Sequence, residues 1–325
     1  MAGALAASAI PFVRSYGLPR GWRPAPAGLW RMTRLNLPVA AADAVEWGSR
    51  RLDIAILGLF FRPEVVGIYY VAQNVASLPA KLKTSFDPIL GPVIARNVAG
   101  GDHGAVARQV RQVGFWVIAA QLGVALALAI PGEGVMGLVG PEFVAGTAAL
   151  AFLLFAEVVA AMAAVSEAAL IYLARLRNML ISVGMIALQV VLTIGLILIM
   201  RYEGMAEMNQ ATGPAVALLL ALGFAAVVKS RLLHRLLGAP VSGWRWPLIW
   251  ASGAAVVTGW LFTLLPARLE WLELSAGIPA ILLAFGLVVW TKGFGPADRE
   301  LFRMRRHEIE ELALPEPGAS PGAPR

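Results

Sequence analysis

Four ionisable residues near the start of the first long apolar segment have the spacing of a single helix face. Asp43, Glu46, Arg50 and Asp53 follow one another at intervals of three, four and three residues, with Arg51 beside them. Glu46 and Arg50 have the spacing of a helical ion pair. A charge at the centre of a membrane helix costs about 2.5–3.5 kcal/mol. The stripe therefore predicts a helix face that contacts protein, water or a ligand instead of lipid.

The next apolar segment also carries polar residues at helical spacing. Gln73, Ser77 and Lys81 are four residues apart, and Asn74 and Lys83 lie near the same stripe. As one helix of about 33 residues it would extend ~50 Å, so it must kink, tilt or leave the bilayer. The two lysines could face the same interior as the first stripe, or they could extend to the lipid headgroups.

Two more acids, Glu157 and Glu167, lie in the alanine-rich stretch "FAEVVAAMAAVSEAALIYL". Small residues allow membrane helices to pack closely. Each glutamate could be protonated or paired with a cation on a neighbouring helix, or it could couple transport to a proton or cation. Glu167 is close enough to the end of its segment to lie at the membrane interface.

The composition is typical of an integral membrane protein. Of 325 residues, 58% are hydrophobic and 14% are charged, whereas a soluble domain has about a quarter charged residues. The apolar runs do not alternate as barrel strands do, so they predict an all-α protein. About eight crossings are expected, at residues 37–61, 65–97, 108–130, 144–173, 178–200, 209–229, 246–265 and 275–291.

Basic residues are concentrated in alternate loops. Residues 14–34 contain five arginines and no acid. If this segment is cytoplasmic, every later basic loop falls on the same side and the acidic loops fall on the other. We therefore expect an even number of crossings with both termini in the cytoplasm. The net charge of +7 then reflects loops that face an anionic leaflet, and no nucleic-acid partner is expected.

Several kinds of chemistry have no support in the sequence. The absence of cysteine excludes disulfides, thiolate metal sites and cysteine nucleophiles. Three histidines without HExxH-type spacing do not indicate a zinc site. We expect no metal, no cofactor and no catalytic residues.

Three blocks in the first two thirds of the chain resemble a transporter family. The longest is "RLDIAILGLFFRPEVVGIYYVAQNVASLPAKLKTSFDPILGPVIARNVAGGD", followed by "VMGLVGPEFVAGTAALAFLLFA" and the basic turn "YLARLRNML". In this order they resemble the polysaccharide-export flippases of the multidrug/oligosaccharidyl-lipid/polysaccharide superfamily. The resemblance covers residues 36 to about 200.

Such flippases have two six-helix lobes and two trailing helices, and they move anionic, polyprenyl-pyrophosphate-linked oligosaccharides across the bacterial inner membrane. The resemblance implies that this chain is the second lobe with its trailing helices. The partner would then be a missing N-terminal lobe or a second copy, in addition to membrane lipids. The implied divisions are a remnant helix at 1–13, a basic cytoplasmic linker at 14–35, a six-helix lobe at 36–235, two trailing crossings at 236–292 and a cytoplasmic tail at 293–325.

The resemblance also implies roles for the polar residues. Cationic side chains of the cavity would bind the pyrophosphate, because guanidinium groups pair bidentately with phosphate oxygens. The amides and the hydroxyl would bind sugar hydroxyls, and the acids of the first stripe would hold the arginines. The expected cavity residues are Arg50, Arg51, Lys81, Lys83, Gln73, Asn74 and Ser77, and the charge-pairing or ion-coupling residues are Asp43, Glu46, Asp53, Glu157 and Glu167.

Three alternatives remain open. A cation-coupled multidrug antiporter of the same superfamily would use acids in its cavity. A peptidoglycan-precursor flippase would share the fold and the type of cargo. A membrane glycosyltransferase or ligase would need a catalytic group in a large extracytoplasmic loop, and no such loop here exceeds about a dozen residues. A non-enzymatic transporter is therefore expected.

Overall fold

The computed structural model describes residues 51–84, 87–264 and 270–294, together with Trp30, Thr33, Leu37 and Gly48. The chain divides into two units, Met1–Ala44 and Val45–Arg325, and the elements below belong to the second. The described residues contain helices and no strand, so the all-α prediction is confirmed for them. The predicted segment 1–13, all of 14–35 except Trp30 and Thr33, nearly all of the tail and the residues Asp43, Glu46 and Arg50 lie outside the described residues.

The second unit is a succession of helices of very different lengths. Helix α1 comprises residues 51–60. It is followed by α2 (Pro63–Ala76), α3 (Leu78–Thr84), α4 (Asp87–Ala99), α5 (His103–Ala129), α6 (Gly132–Gly137), a 3-10 turn (Pro141–Gly146), α7 (Thr147–Leu173), α8 (Arg175–Tyr202), α9 (Glu207–Gln210), α10 (Gly213–Leu237) and α11 (Trp246–Thr263). Helix α12 begins with Glu270–Leu272, continues through a π-helical turn (Glu273–Gly277) and Ile278–Val288, and ends with a second π-helical turn (Val289–Gly293).

The segment predicted as one long crossing at 65–97 consists of three helices. Ser77 separates α2 from α3, and residues 85–86, between α3 and α4, are not described. Pro79 and Pro88 are each the second residue of their helix. A proline is tolerated in the first turn because its missing N–H would have no partner within the helix there. The expected kink is thus a division into short helices.

Five helices are long and apolar enough to cross a membrane among the residues that the structure describes. They are His103–Ala129, Pro141–Leu173, Arg175–Tyr202, Glu207–Leu237 and Glu273–Gly293. They correspond to the predicted crossings at 108–130, 144–173, 178–200, 209–229 and 275–291. The crossings predicted at 37–61, 65–97 and 246–265 have no counterpart among these five and stay predictions.

Helix α7 is at the centre of the packing. It contacts α2, α5 and α10 extensively, and its buried face contains many alanines, which let neighbouring backbones approach closely. The two last helices, α11 and α12, pack on each other and on α5. In contrast, α8 is largely open on its outer side, where large apolar residues such as Leu180, Val191 and Ile199 are exposed. Such an apolar surface is expected where lipid or another protein covers it.

Candidate polar sites between the helices

The carboxylate of Asp53 is the centre of a buried polar cluster that joins α1 to α2. Asp53 has no exposed surface. Its Oδ2 atom accepts hydrogen bonds from the Tyr69 hydroxyl at 2.7 Å and from Gln73 Nε2 at 2.9 Å. Its Oδ1 atom accepts from the backbone N–H of Ile54 at 2.9 Å. The cluster therefore fixes the contact between the first two helices through neutral donors.

The sequence indicated Asp53 and Gln73 as polar residues but did not connect them. Tyr69, the third member of the cluster, was not among the predicted residues. A signal existed, because Tyr69 and Gln73 are four residues apart and so lie on one face of α2. Both donate to the same carboxylate oxygen. The position of Arg50 relative to this cluster lies outside the described residues, so the predicted pairing of Asp53 with Arg50 stays a prediction.

Arg51 lies on the side of α1 opposite to Asp53. Along α1, Asp53, Ile56 and Leu57 are buried, whereas Arg51 and Leu59 are exposed. The structure therefore places on opposite sides of the helix two charged residues that are separated by one residue in the sequence. Arg51 is part of the outer surface of the unit, and Asp53 is part of its interior.

The remaining predicted residues of the second segment lie mostly on its outer side. Asn74 and Lys81 are exposed and Ser77 is half-buried. The Asn74 amide donates to the Tyr70 carbonyl at 2.9 Å, and the Ser77 hydroxyl donates to the Asn74 carbonyl at 2.7 Å. The Lys83 side chain is not described. Asn74 and Lys81 are thus exposed on α2 and α3, whereas the half-buried Gln73 donates to the interior carboxylate of Asp53.

A second buried cluster joins α7, α8 and α10. Lys229 Nζ lies 2.8 Å from Glu167 Oε2, and both side chains are largely buried, with relative exposures of 4% and 19%. The Asn178 amide donates to Glu167 Oε1 at 2.8 Å. Of the alternatives open for Glu167, pairing with a cation on a neighbouring helix is the one that the structure shows. Lys229 was not among the predicted residues and appears in the sequence analysis only as the end of the crossing predicted at 209–229.

The buried face of α8 carries a line of polar side chains. Asn178, Ser182, Gln189 and Thr193 are all buried, and α8 packs mainly on α10. The intervals of four, seven and four residues are those of a single helix face. The sequence analysis did not select them, although their spacing was visible. Buried hydroxyls and amides join membrane helices by hydrogen bonds.

These clusters differ in the chemistry they can support. The Asp53 cluster could bind or release a proton or hold a cation, since its described donors are neutral. The Glu167 cluster is an ion pair that ties three helices together. Glu157 is half-buried in α7. Within the described part of the chain, no group of three histidine, aspartate or glutamate side chains could hold a metal ion.

Comparisons with known proteins add no relative. No protein-family model matches the chain, and neither a curated protein nor a solved structure matches it.

Proposed function

We propose that the chain takes part in moving a polyprenyl-pyrophosphate-linked oligosaccharide across a bacterial inner membrane, as the second lobe and trailing helices of a flippase. The observation that carries this proposal is that each of α1, α2 and α3 has an exposed polar surface, to which Arg51, Asn74 and Lys81 respectively belong. Within residues 51–84, α2 packs on α7 and α3 packs on α5 and α7, two of the five helices of membrane-spanning length. Polar side chains exposed to lipid would be costly, so a hydrated cavity is the environment that suits these surfaces.

The composition of these surfaces matches the cargo. Guanidinium and ammonium groups bind phosphate oxygens, and arginine does so with two parallel hydrogen bonds. Arg51 and Lys81, with Arg50 and Lys83 from the sequence, supply the cations, and Asn74 and Ser77 supply groups for sugar hydroxyls. The buried hydrogen bonds of Asp53 hold α1 against α2. A second lobe or a second copy would supply the other wall of the cavity, as alternating access between two bundles requires.

The proposal is tested by replacing both arginines of the leading helix. In the complete protein, Arg50→Ala with Arg51→Ala should reduce display of the surface glycan by a factor of ten or more, because each arginine removes about 1.5–3 kcal/mol of charged hydrogen bonding. The matched control is Arg108→Ala with Arg111→Ala, two exposed arginines of α5. Normal glycan display at normal protein levels in the leading-helix variant would exclude both residues from the mechanism.

The proposed orientation has its own test. The chain contains no cysteine, so single cysteines can be introduced without a background signal. A membrane-impermeant thiol reagent added to intact spheroplasts should label Glu203→Cys and should label Arg108→Cys only after lysis. Both residues are exposed, so accessibility alone does not distinguish them. Labelling of Arg108→Cys in intact spheroplasts would reverse the proposed topology.

A cation-coupled antiporter is the second candidate, and the Asp53 cluster is the observation that favours it. A buried carboxylate whose described partners are Tyr69, Gln73 and a backbone N–H is suited to exchange a proton for a cationic substrate. Deletion of the gene would then sensitise cells to cationic drugs and leave the surface glycan unchanged, and Asp53→Asn would fail to restore resistance. A glycan defect without drug sensitivity supports the flippase.

A further inference from the structure

A groove with a basic rim opens between α8 and α10, on a surface that the proposed transport cavity does not use. Its volume is about 400 Å³. Three of its described lining residues are arginines and the other four are aliphatic. They are Arg177, Leu180 and Ile181 from α8 and Val228, Arg231, Leu232 and Arg235 from α10.

The spacing of these residues explains why the groove is amphipathic. On α8, Arg177 is followed by aliphatic residues three and four positions later, one turn further along the same face. On α10, which runs in the opposite direction at this point, Arg231 and Arg235 are one turn apart near the end of the helix. The cations therefore lie toward the ends of two membrane-length helices, and the aliphatic wall extends inward from them.

The positive charge of the groove is not neutralised from within. None of the described lining residues is acidic. The nearby carboxylate of Glu167 accepts from Lys229 and Asn178. In the part of the chain that the structure describes, the three groove arginines make no hydrogen bond or ion pair, and all three are exposed. Three guanidinium groups are thus available to an external anion.

The aliphatic wall continues beyond the groove along the outer faces of both helices. On α8, Leu180 and Val183 are exposed, and on α10, Leu220, Phe224 and Val227 are exposed. A soluble anion would use the arginines and leave this surface uncovered. A molecule with a phosphate and two long hydrocarbon chains would use both.

We propose that the groove binds an anionic phospholipid, whose headgroup phosphate is held by Arg177, Arg231 and Arg235 and whose acyl chains lie along α8 and α10. Basic pockets between membrane helices bind the headgroups of acidic lipids in this way, and each basic residue contributes about a fivefold increase in affinity. The bound lipid seals the open side of α8 and fixes the spacing of α8 and α10. This inference does not depend on the transport proposal, because lipid retention is measured without transport.

The experiment compares two lipids that differ only in the headgroup. The full-length protein is purified with phosphatidylglycerol and phosphatidylcholine of identical acyl chains, and the retained lipids are counted by native mass spectrometry. The unmodified protein should retain phosphatidylglycerol preferentially. The triple variant Arg177→Gln, Arg231→Gln, Arg235→Gln should lose roughly a hundredfold of that preference, at about fivefold per arginine.

The matched control removes the same charge elsewhere. Arg96→Gln, Arg108→Gln and Arg111→Gln change three exposed arginines outside the groove, and this variant should keep the preference. If the triple groove variant does not fold, Arg177→Gln and Arg235→Gln are measured singly, each with an expected fivefold loss. Ile181→Trp, which narrows the groove without altering its charge, should also release the lipid.

Three results would overturn the proposal. One is a groove variant that keeps its preference for phosphatidylglycerol. Another is an equal loss in the groove and control variants, which would indicate attraction by net charge alone. The third is displacement of the lipid by millimolar glycerol phosphate, which would indicate a site for small anions.

Discussion

Replacing Lys229 with methionine would leave the carboxylate of Glu167 largely buried without its cation. In the structure, Lys229 Nζ is 2.8 Å from Glu167 Oε2, and the side chains are 4% and 19% exposed. The Asn178 amide, also at 2.8 Å, would be the one described donor left on that carboxylate. Because methionine has a similar length, the substitution removes the charge and leaves little empty space.

The magnitude follows from two opposing terms. Two unit charges 2.8 Å apart attract each other by about 6 kcal/mol at an effective dielectric constant of about 20. The cost of removing both ions from water is several kcal/mol for each, so the intact pair contributes little net stability. Removing one partner is different, because the other keeps its desolvation cost. Such single removals typically cost about 3–5 kcal/mol.

The assay is thermal unfolding of the detergent-solubilised protein at a fixed scan rate, for Lys229→Met, Glu167→Gln and the double variant. At about 2–4 °C for each kcal/mol, a cost of about 3–5 kcal/mol means that Lys229→Met should lower the melting temperature by roughly 6–20 °C. The double variant should recover most of this loss, because a neutral amide replaces the carboxylate next to Asn178. Arg111→Met, which removes an exposed cation from α5, is the matched control and should melt like the unmodified protein.

Two results would refute this reasoning. A Lys229→Met variant that melts with the unmodified protein would mean that Glu167 does not need its cation. A double variant that is as unstable as the two single variants combined would mean that the two side chains act independently, since coupled residues deviate from additivity by about 0.5–3 kcal/mol.

Two other pairs of substitutions, each with its own control, test the packing and the Asp53 cluster. A Cβ atom at Gly243 would lie 2.6 Å from backbone atoms of α5, so Gly243→Ala should destabilise the protein by about 1–3 kcal/mol, whereas Gly253→Ala, with nothing within 4 Å, should raise its thermal stability slightly. Tyr69→Phe removes a buried hydrogen-bond donor from Asp53 and should lower the free energy of unfolding by about 1–3 kcal/mol. The neighbouring Tyr70→Phe, at an exposed position, should lower it by less than about 0.5 kcal/mol. Equal melting temperatures of the two glycine variants, or of the two tyrosine variants, would contradict the corresponding prediction.

Hydropathy was sufficient to predict the helices that are long and uniformly apolar. The predicted crossing 178–200 lies within the observed helix Arg175–Tyr202, and 144–173 lies within Pro141–Leu173. Such segments are predictable because the local composition alone requires a helix of this length. The start of α5 was predicted less well. The crossing was expected from residue 108, whereas the helix begins at His103, after Asp102, whose carboxylate accepts from the Ala105 N–H.

The segment 65–97 shows a limit of hydropathy as a predictor. Its average hydropathy suggests a crossing, but a proline near the middle of a helical run removes a backbone hydrogen bond and clashes with the preceding turn. The chain avoids this cost at Pro79 and Pro88 by starting new helices, so that both occupy first turns, whereas Pro92 lies within α4. The prolines were recognised as breaks in the sequence. How the chain rearranges at such breaks depends on what the short helices pack against, chiefly α5 and α7, which sequence patterns do not show.

The buried charges show a different limit. A charged Asp53 or Glu167 among apolar helices needs a partner, because burying an unpaired charge is costly. The partners are Tyr69, sixteen residues away, and Lys229, sixty-two residues away, and neither distance is fixed by helical periodicity. The cost of burying a charge therefore identifies which side chains need a hydrogen-bond or charge partner. Only the packing of α1 on α2 and of α7 on α10 determines which residue that partner is. The cost of an unpaired charge also applies to Arg51 and to the groove arginines. These cations are exposed and make no described contact with an acid, so in a membrane their partners must come from outside the described residues.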